Sequence, residues 1–325
     1  MKKTKKECGL RSAAGLALLA GTCAGAGALV GAAEHFYKFA LTPKKHDVRK
    51  DSDPIEKDYV EGRRWMKGHP RREDVYLRSG DGLQLHANFI PSEYGMEEHR
   101  YAVCVHGYAD AADSMGIYAR VYRDRLGMHV LLPDLRGHGK SDGDYVGMGY
   151  HDSLDLLSWI DWVLERDRDA QIILHGISMG AAAVLMTTGH RLPDQVAAAV
   201  SDSSYTSAMD VMSSMYRSLG GPAVTAPVLV EAVRGIALIR AGYDIAKASP
   251  LQAVARSKTP TLFIHGQADD FVPARMMPAL YRAASCPKAF QWVPEAGHVQ
   301  SVIYDPELYW ARIERFLHAH GVSIV

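Results

Sequence analysis

From residue 101 to the end of the chain, apolar runs of strand length alternate with segments of helix length. The runs are 101–106, 128–133, 170–175, 196–201, 260–265 and 288–293, and the helical stretches are about 113–126, 151–166, 179–191, 274–285 and 306–320. Runs that are apolar throughout must be covered on both faces, and strands separated by helices pair in parallel. The pattern therefore predicts an α/β fold whose mostly parallel sheet lies between helical layers. Two alternating segments, 73–79 and 83–90, precede it; Gly80-Asp81-Gly82 joins them, which reads as a hairpin with a tight turn. One interval breaks the rhythm. The stretch from Ser201 to Thr259 is too long for a loop, is rich in Met, Leu, Val and Ala, and is interrupted at Gly220-Gly221-Pro222 and Pro227. It predicts a helical cap insertion over about 205–255.

Within this frame the segment His175-Gly-Ile-Ser-Met-Gly180 stands between a strand-like run and a good helix start, Met179 to Ala183. A bare G-x-S-x-G is a weak signal in a chain with 29 glycines. Its setting makes it specific, because strand, sharp turn and helix are what a nucleophile elbow requires. Gly176 and Gly180 would let the backbone pass a tightly turned Ser178, and the helix N-terminus brings dipole and N–H groups near its hydroxyl. Serine is not ionised at neutral pH, so a base must take its proton and a carboxylate must orient that base. The elbow predicts the chain order Ser, acid, His. His265-Gly-Gln-Ala-Asp269-Asp270 puts an acid just past a strand, and Glu295-Ala-Gly-His298 puts a histidine just past the last one. Both fall at the carboxyl edge of the sheet, where open α/β sheets build their sites.

These motifs, with HGY at 106–108 and DLRGHGKSDG at 134–143, resemble those of the α/β-hydrolases, in the branch of bacterial esterases and serine-aminopeptidase-like hydrolases. The chain is similar in particular to the single-pass, membrane-anchored hydrolases of Gram-positive bacteria. The resemblance implies an α/β-hydrolase fold over residues 71–325, with Ser178 as nucleophile, Asp269 as acid and His298 as base. Asp270 is the rival acid, and Asp202 a further one, since some relatives take the acid from the preceding strand. The oxyanion hole would use the backbone N–H groups of Met179 and Tyr108.

Lys2, Lys3, Lys5, Lys6 and Arg11 precede residues 12–33, which carry no charge. At about 1.5 Å per residue such a span reaches roughly 33 Å as a helix, enough for a hydrocarbon core of about 30 Å. Residues 1–33 are therefore expected to form a membrane anchor or signal segment, and 34–70, charged and broken by prolines, a linker with a short helix near Pro54–Trp65. The expected location is the cell membrane, with the hydrolase domain outside. Secretion is the alternative, since Ala24-Gly25-Ala26 and Ala26-Gly27-Ala28 fit a signal peptidase.

Other classes find little support. Lys+Arg and Asp+Glu both number 37, so no basic field draws in nucleic acid. Cys8, Cys23, Cys104 and Cys286 are scattered without metal-ligand spacing, and Cys104 reads as a buried thiol. Gly139-Lys140-Ser141 mimics the end of a P-loop but has Asp134 where a glycine is needed; Asp134, Arg136 and Ser141 are instead expected to tie the loop. No cofactor and no metal is expected. The expected activity is hydrolysis of small-molecule carboxylic esters. An aminopeptidase or amidase is the alternative, for which Glu231 and Asp244 are among the few cap carboxylates available. A catalytically silent, membrane-tethered binding protein is a third possibility.

Overall fold

The computed structural model describes residues 27–43, 54–95, 98–108 and 110–323. Eight strands form one sheet: β1 (Glu73–Arg78), β2 (Gln84–Ile90), β3 (Arg100–Val105), β4 (His129–Pro133), β5 (Gln171–Ile177), β6 (Val196–Asp202), β7 (Thr261–Gly266) and β8 (Lys288–Val293). Their spatial order is β1-β2-β4-β3-β5-β6-β7-β8. The hairpin β1–β2 is antiparallel and adds to β4, and every pair from β4 through β8 is parallel. The hairpin closes where Ser79 N–H donates to Leu83 O at 2.9 Å.

The uniform apolar runs have their expected consequence. Along β3, Tyr101, Val103 and Val105 join one core cluster, while Ala102 and Cys104 join the other. Alternate side chains of one strand thus feed two cores, one on each face. Cys104 is fully enclosed, and burial pushes its thiol far up. The helices that close the faces are α3 (Gly116–Asp124), α4 (Tyr150–Arg166), α5 (Met179–Thr188), α9 (Met276–Ala283) and α10 (Pro306–Ala319).

The cap insertion contains α6 (Ala208–Ser218), α7 (Ala226–Arg240) and the short α8 (Pro250–Val254). Met212, Met215 and Leu229 are buried in the main core, whereas Val228 faces solvent.

The stretch before the hairpin, expected as a linker with a short helix near Pro54–Trp65, holds two helices. Residues 27–41 form a helix, α1. It buries Ala33, Phe36, Tyr37, Ala40 and Leu41, the i, i+3, i+4, i+7, i+8 stripe of an amphipathic helix. Arg240 of α7 bonds Glu34 at 2.9 Å, and Val146 N–H donates to Leu41 O at 2.8 Å, so α1 is packed on the domain. A second helix, α2 (Pro54–Gly68), lies against α3. Among the described residues no helix is long and apolar enough to cross a membrane. Residues 12–26 of the uncharged span lie outside the described residues. The rest, 27–33, belongs to α1, whose Leu29 and Ala33 pack on the domain.

Candidate active site

Strand β5 delivers Ser178 to a turn with φ 52° and ψ −117°, a conformation rarely open to a residue with a side chain. The next residue, Met179, opens α5. The turn is possible only because its neighbours lack Cβ atoms. One on Gly176 would lie 2.3 Å from Gly180 O, and one on Gly180 would lie 2.2 Å from Val105 O. β5 and the start of α5 therefore cross in contact, and Ser178 stands at the crossing.

The carboxyl ends of β7 and β8 bring two further groups to it. His298 Nε2 is 2.8 Å from Ser178 Oγ, and its Nδ1 is 2.8 Å from Asp269 Oδ2. An ionised carboxylate only accepts, so Nδ1 carries the proton and Nε2 is left to accept from the serine hydroxyl. Asp269 is held on all sides. Its Oδ1 accepts from Phe271 N at 3.1 Å and Val272 N at 2.9 Å, and His265 Nε2 stands 3.1 Å from Oδ2. Burial opposes the charge, but hydrogen bonds from His265 and His298 outweigh it and hold Asp269 at about 2.

The rival acids go elsewhere. Asp270 is exposed. Asp202 is buried and accepts from Ser203 Oγ at 2.9 Å and Tyr309 OH at 3.0 Å. Burial pushes it up to about 6 against those two bonds. It meets the elbow only through its backbone, whose carbonyl accepts Ser178 N–H at 2.9 Å.

The loop after β3 borders the serine. A Cβ on Gly107 would sit 3.3 Å from Ser178 Cβ, which places the residue before Tyr108 beside the nucleophile. Tyr108 OH donates to Phe39 O of α1 at 3.1 Å, and burial raises the phenol to about 12. Met179 is the first residue of α5, where N–H groups lack intrahelical acceptors.

The loop after β4 is tied as its residues predict. Asp134 accepts from Ala112 N at 2.7 Å, Lys140 N at 2.9 Å and His86 Nδ1 at 2.6 Å. Ser141 Oγ donates to Asp134 O at 2.7 Å, and Arg136 is bonded to Asp155 and Asp81. Gly139 is required here, since a Cβ would meet the Asp134 carboxyl at 2.1 Å.

Sequence alone gives no sign of the part His265 plays, because His-Gly pairs also end β3 and lie within β5, where the histidines do other work. His106 Nε2 accepts from Leu135 N at 3.0 Å. His175 lies between the hydroxyls of Tyr122 and Tyr309, both at 3.0 Å, and burial lowers it to about 3. Only the fold sets His265 against Asp269.

A parallel sheet with an antiparallel hairpin at one edge, a serine elbow after β5 and a helical cap after β6 define an α/β-hydrolase. Comparison with known proteins agrees: the profile of the Alpha/beta hydrolase family matches residues 102–312, and the chain belongs to that family. It is 26% identical over 255 residues to the uncharacterized protein YqkD of Bacillus subtilis, covering 75% of this chain and 82% of that one. It also superimposes on an esterase of Pyrococcus furiosus with a TM-score of 0.62 and 21% identity, over 86% of this chain and 99% of that one. An acylaminoacyl peptidase of Pyrococcus horikoshii gives a TM-score of 0.56 at 19% identity, over 78% of this chain and 42% of that one. At such identities the structural likeness is one of fold.

Proposed function

We propose that the protein is a serine hydrolase of carboxylic esters, acting through an acyl-enzyme. The observation that carries this is the unbroken row from Ser178 Oγ through His298 to Asp269, 2.8 Å at each step. His298 Nε2 accepts the Ser178 proton as Oγ attacks the carbonyl carbon. The oxyanion that forms is met by the N–H groups of Met179 and Tyr108. His298 returns the proton to the departing alcohol, leaving the acyl group on Ser178. It then takes a proton from water, whose oxygen attacks the acyl carbon, and hands that proton to Ser178 Oγ as the acyl bond breaks and the acid is freed. Asp269 stays ionised throughout and steadies the imidazolium.

Esters are favoured over aminoacyl amides by the state of the cap carboxylates. Asp244 is bonded to both Arg234 Nε and Nη2, at 2.6 and 2.7 Å, and Glu231 reaches the same guanidinium at 3.2 Å. Asp210, the third cap carboxylate, accepts from Thr206 Oγ1 at 2.6 Å and Ser207 Oγ at 2.7 Å, so all three already have partners within the cap. The protein is further proposed to act at the cell membrane, domain outward, directed there by the N-terminal segment, residues 1–33. Release by cleavage is a second reading with an observation of its own: the cleavable sites at Ala26 and Ala28 precede the buried stripe of α1 from Ala33 to Leu41, so cutting there spares its packing.

Labelling with a fluorophosphonate probe, lost in Ser178→Ala, tests the chemistry. Turnover of p-nitrophenyl esters from acetate to palmitate, beside aminoacyl-p-nitroanilides, tests the bond. An anilide cleaved faster than the butyrate ester would make the enzyme a peptidase, and an unlabelled, inactive chain would make it a silent scaffold. The mature N-terminus and carbonate extraction of membranes decide between anchor and release.

A further inference from the structure

Helix α2 lies wholly outside the stretch matched by the family profile, yet it touches both loops on which the proposed chemistry depends. Tyr59 is buried, and its hydroxyl donates to Val299 O at 2.8 Å, with Tyr118 OH 3.1 Å away. Val299 directly follows His298 and has φ 58°, a left-handed conformation that a β-branched residue adopts only when its surroundings impose it. Its N–H faces Ser203 Oγ at 3.4 Å on the other side, so the strained peptide is gripped at both ends. One turn further along α2, Arg63 Nη2 donates to Asp110 Oδ1 at 2.9 Å. A further turn on, Lys67 pairs with Asp113 at 2.7 Å. Asp110 and Asp113 belong to the segment that follows Tyr108.

The helix carrying these groups is itself fixed. Gly62 and Gly116 meet where α2 crosses α3: a Cβ on Gly116 would fall 2.1 Å from Gly62 O, and one on Gly62 would fall 2.4 Å from Ile117 N. Backbones in contact leave no room for sliding. Packing alone would be served by phenylalanine at 59 and an aliphatic residue at 63. The polar ends of these side chains are spent on two loops far apart in sequence.

We propose that α2 is a positioning strut: Tyr59 fixes the His298 loop, Arg63 fixes the loop bearing Tyr108, and one rigid helix sets the base relative to the oxyanion donor. Tyr59 and Arg63 are positioning residues, acting through Val299 and Asp110. This rests on the hydrolase function proposed above, and the experiment separates the two. Full-length wild type, Tyr59→Phe and Arg63→Met are compared for kcat and KM on p-nitrophenyl butyrate and for the rate of Ser178 phosphonylation by a fluorophosphonate, all well below each Tm. Each variant is expected to lose roughly three- to thirtyfold in kcat and in phosphonylation rate, from one hydrogen bond of ordinary strength, with KM within about twofold. Arg63→Lys should recover part of the loss. Asp110→Asn, altered on the loop side, should reproduce the Arg63→Met effect even if that variant folds poorly. Wild-type kcat in Tyr59→Phe and Asp110→Asn, or losses confined to Tm or KM, would overturn the strut while leaving the hydrolase intact. A wild type that neither labels nor turns over would overturn both.

Discussion

Replacing Asp269 by asparagine exchanges a single oxygen for NH2, and the surroundings dictate where that group goes. Oδ1 accepts two backbone N–H groups, from Phe271 and Val272. Turning the amide so that NH2 faced them would set donors against donors and leave both backbone groups unmet, at about 1–3 kcal/mol each. The NH2 must therefore take the place of Oδ2, opposite His298 Nδ1, where the single donor it opposes, His265 Nε2–H, keeps its bond to Val272 O. There it donates to His298 Nδ1, which then carries no proton, and the proton moves to Nε2, opposite Ser178 Oγ. In that tautomer the imidazole cannot accept from the serine. The imidazolium that forms in the transition state also loses its counter-charge. Together these should lower kcat by roughly three to four orders of magnitude, about 4–5.5 kcal/mol of barrier. The assay is steady-state hydrolysis of p-nitrophenyl butyrate across pH, with circular dichroism to show that the variant is folded. Asp270→Asn alters an exposed side chain and should stay within about twofold of wild type. A folded Asp269→Asn enzyme within tenfold of wild type, or an Asp270→Asn enzyme equally damaged, would refute the assignment.

Ser178→Gly should abolish turnover yet raise Tm by a few degrees in calorimetry, because glycine relieves a backbone strain of about 1–3 kcal/mol at φ 52°; an unchanged or lower Tm would show the elbow to be unstrained. Burial first, and the Asp155 carboxylate second, raise Asp152 to about 7. The folded state thus keeps a proton that the unfolded chain loses near pH 4, so stability falls between about pH 4 and 7. Asp152→Asn should remove that fall, with no gain at pH 4 and up to about 4 kcal/mol at pH 8; a gain independent of pH in urea titrations would exclude the mechanism. A chain beginning at residue 27 should keep the Tm of the domain. One beginning at residue 44 uncovers the sites of Phe36, Tyr37 and Leu41, at a cost of about 5 kcal/mol and a Tm roughly 10 °C lower. Equal melting of the two would mean that α1 only rests on the surface.

What the sequence determined by itself was local. Apolar runs without alternation gave a sheet buried on both faces, and the two core clusters interleave along β3 accordingly. Glycines two before and two after Ser178 announced a crossing that tolerates no Cβ, and the distances at Gly176 and Gly180 are that requirement in space. The order Ser178, Asp269, His298 could be read because each residue closes a strand, and strand ends of a parallel sheet converge on one edge. The stripe from Ala33 to Leu41 was equally legible as an amphipathic helix, with Glu34, His35 and Lys38 on its other side. Its position after a long uncharged span masked it as linker. Only the tertiary structure decided that α1 and α2 fold back onto the domain, that His265 shares Asp269 with His298, and that Asp202 turns to Tyr309. Each depends on which groups meet across long stretches of chain: Tyr59 and Val299 lie 240 residues apart, and Tyr309 and Asp202 lie 107 apart. A period of 2 or 3.6 fixes which face a side chain takes, but a hydroxyl or imidazole carries no mark of its partner until packing excludes every other.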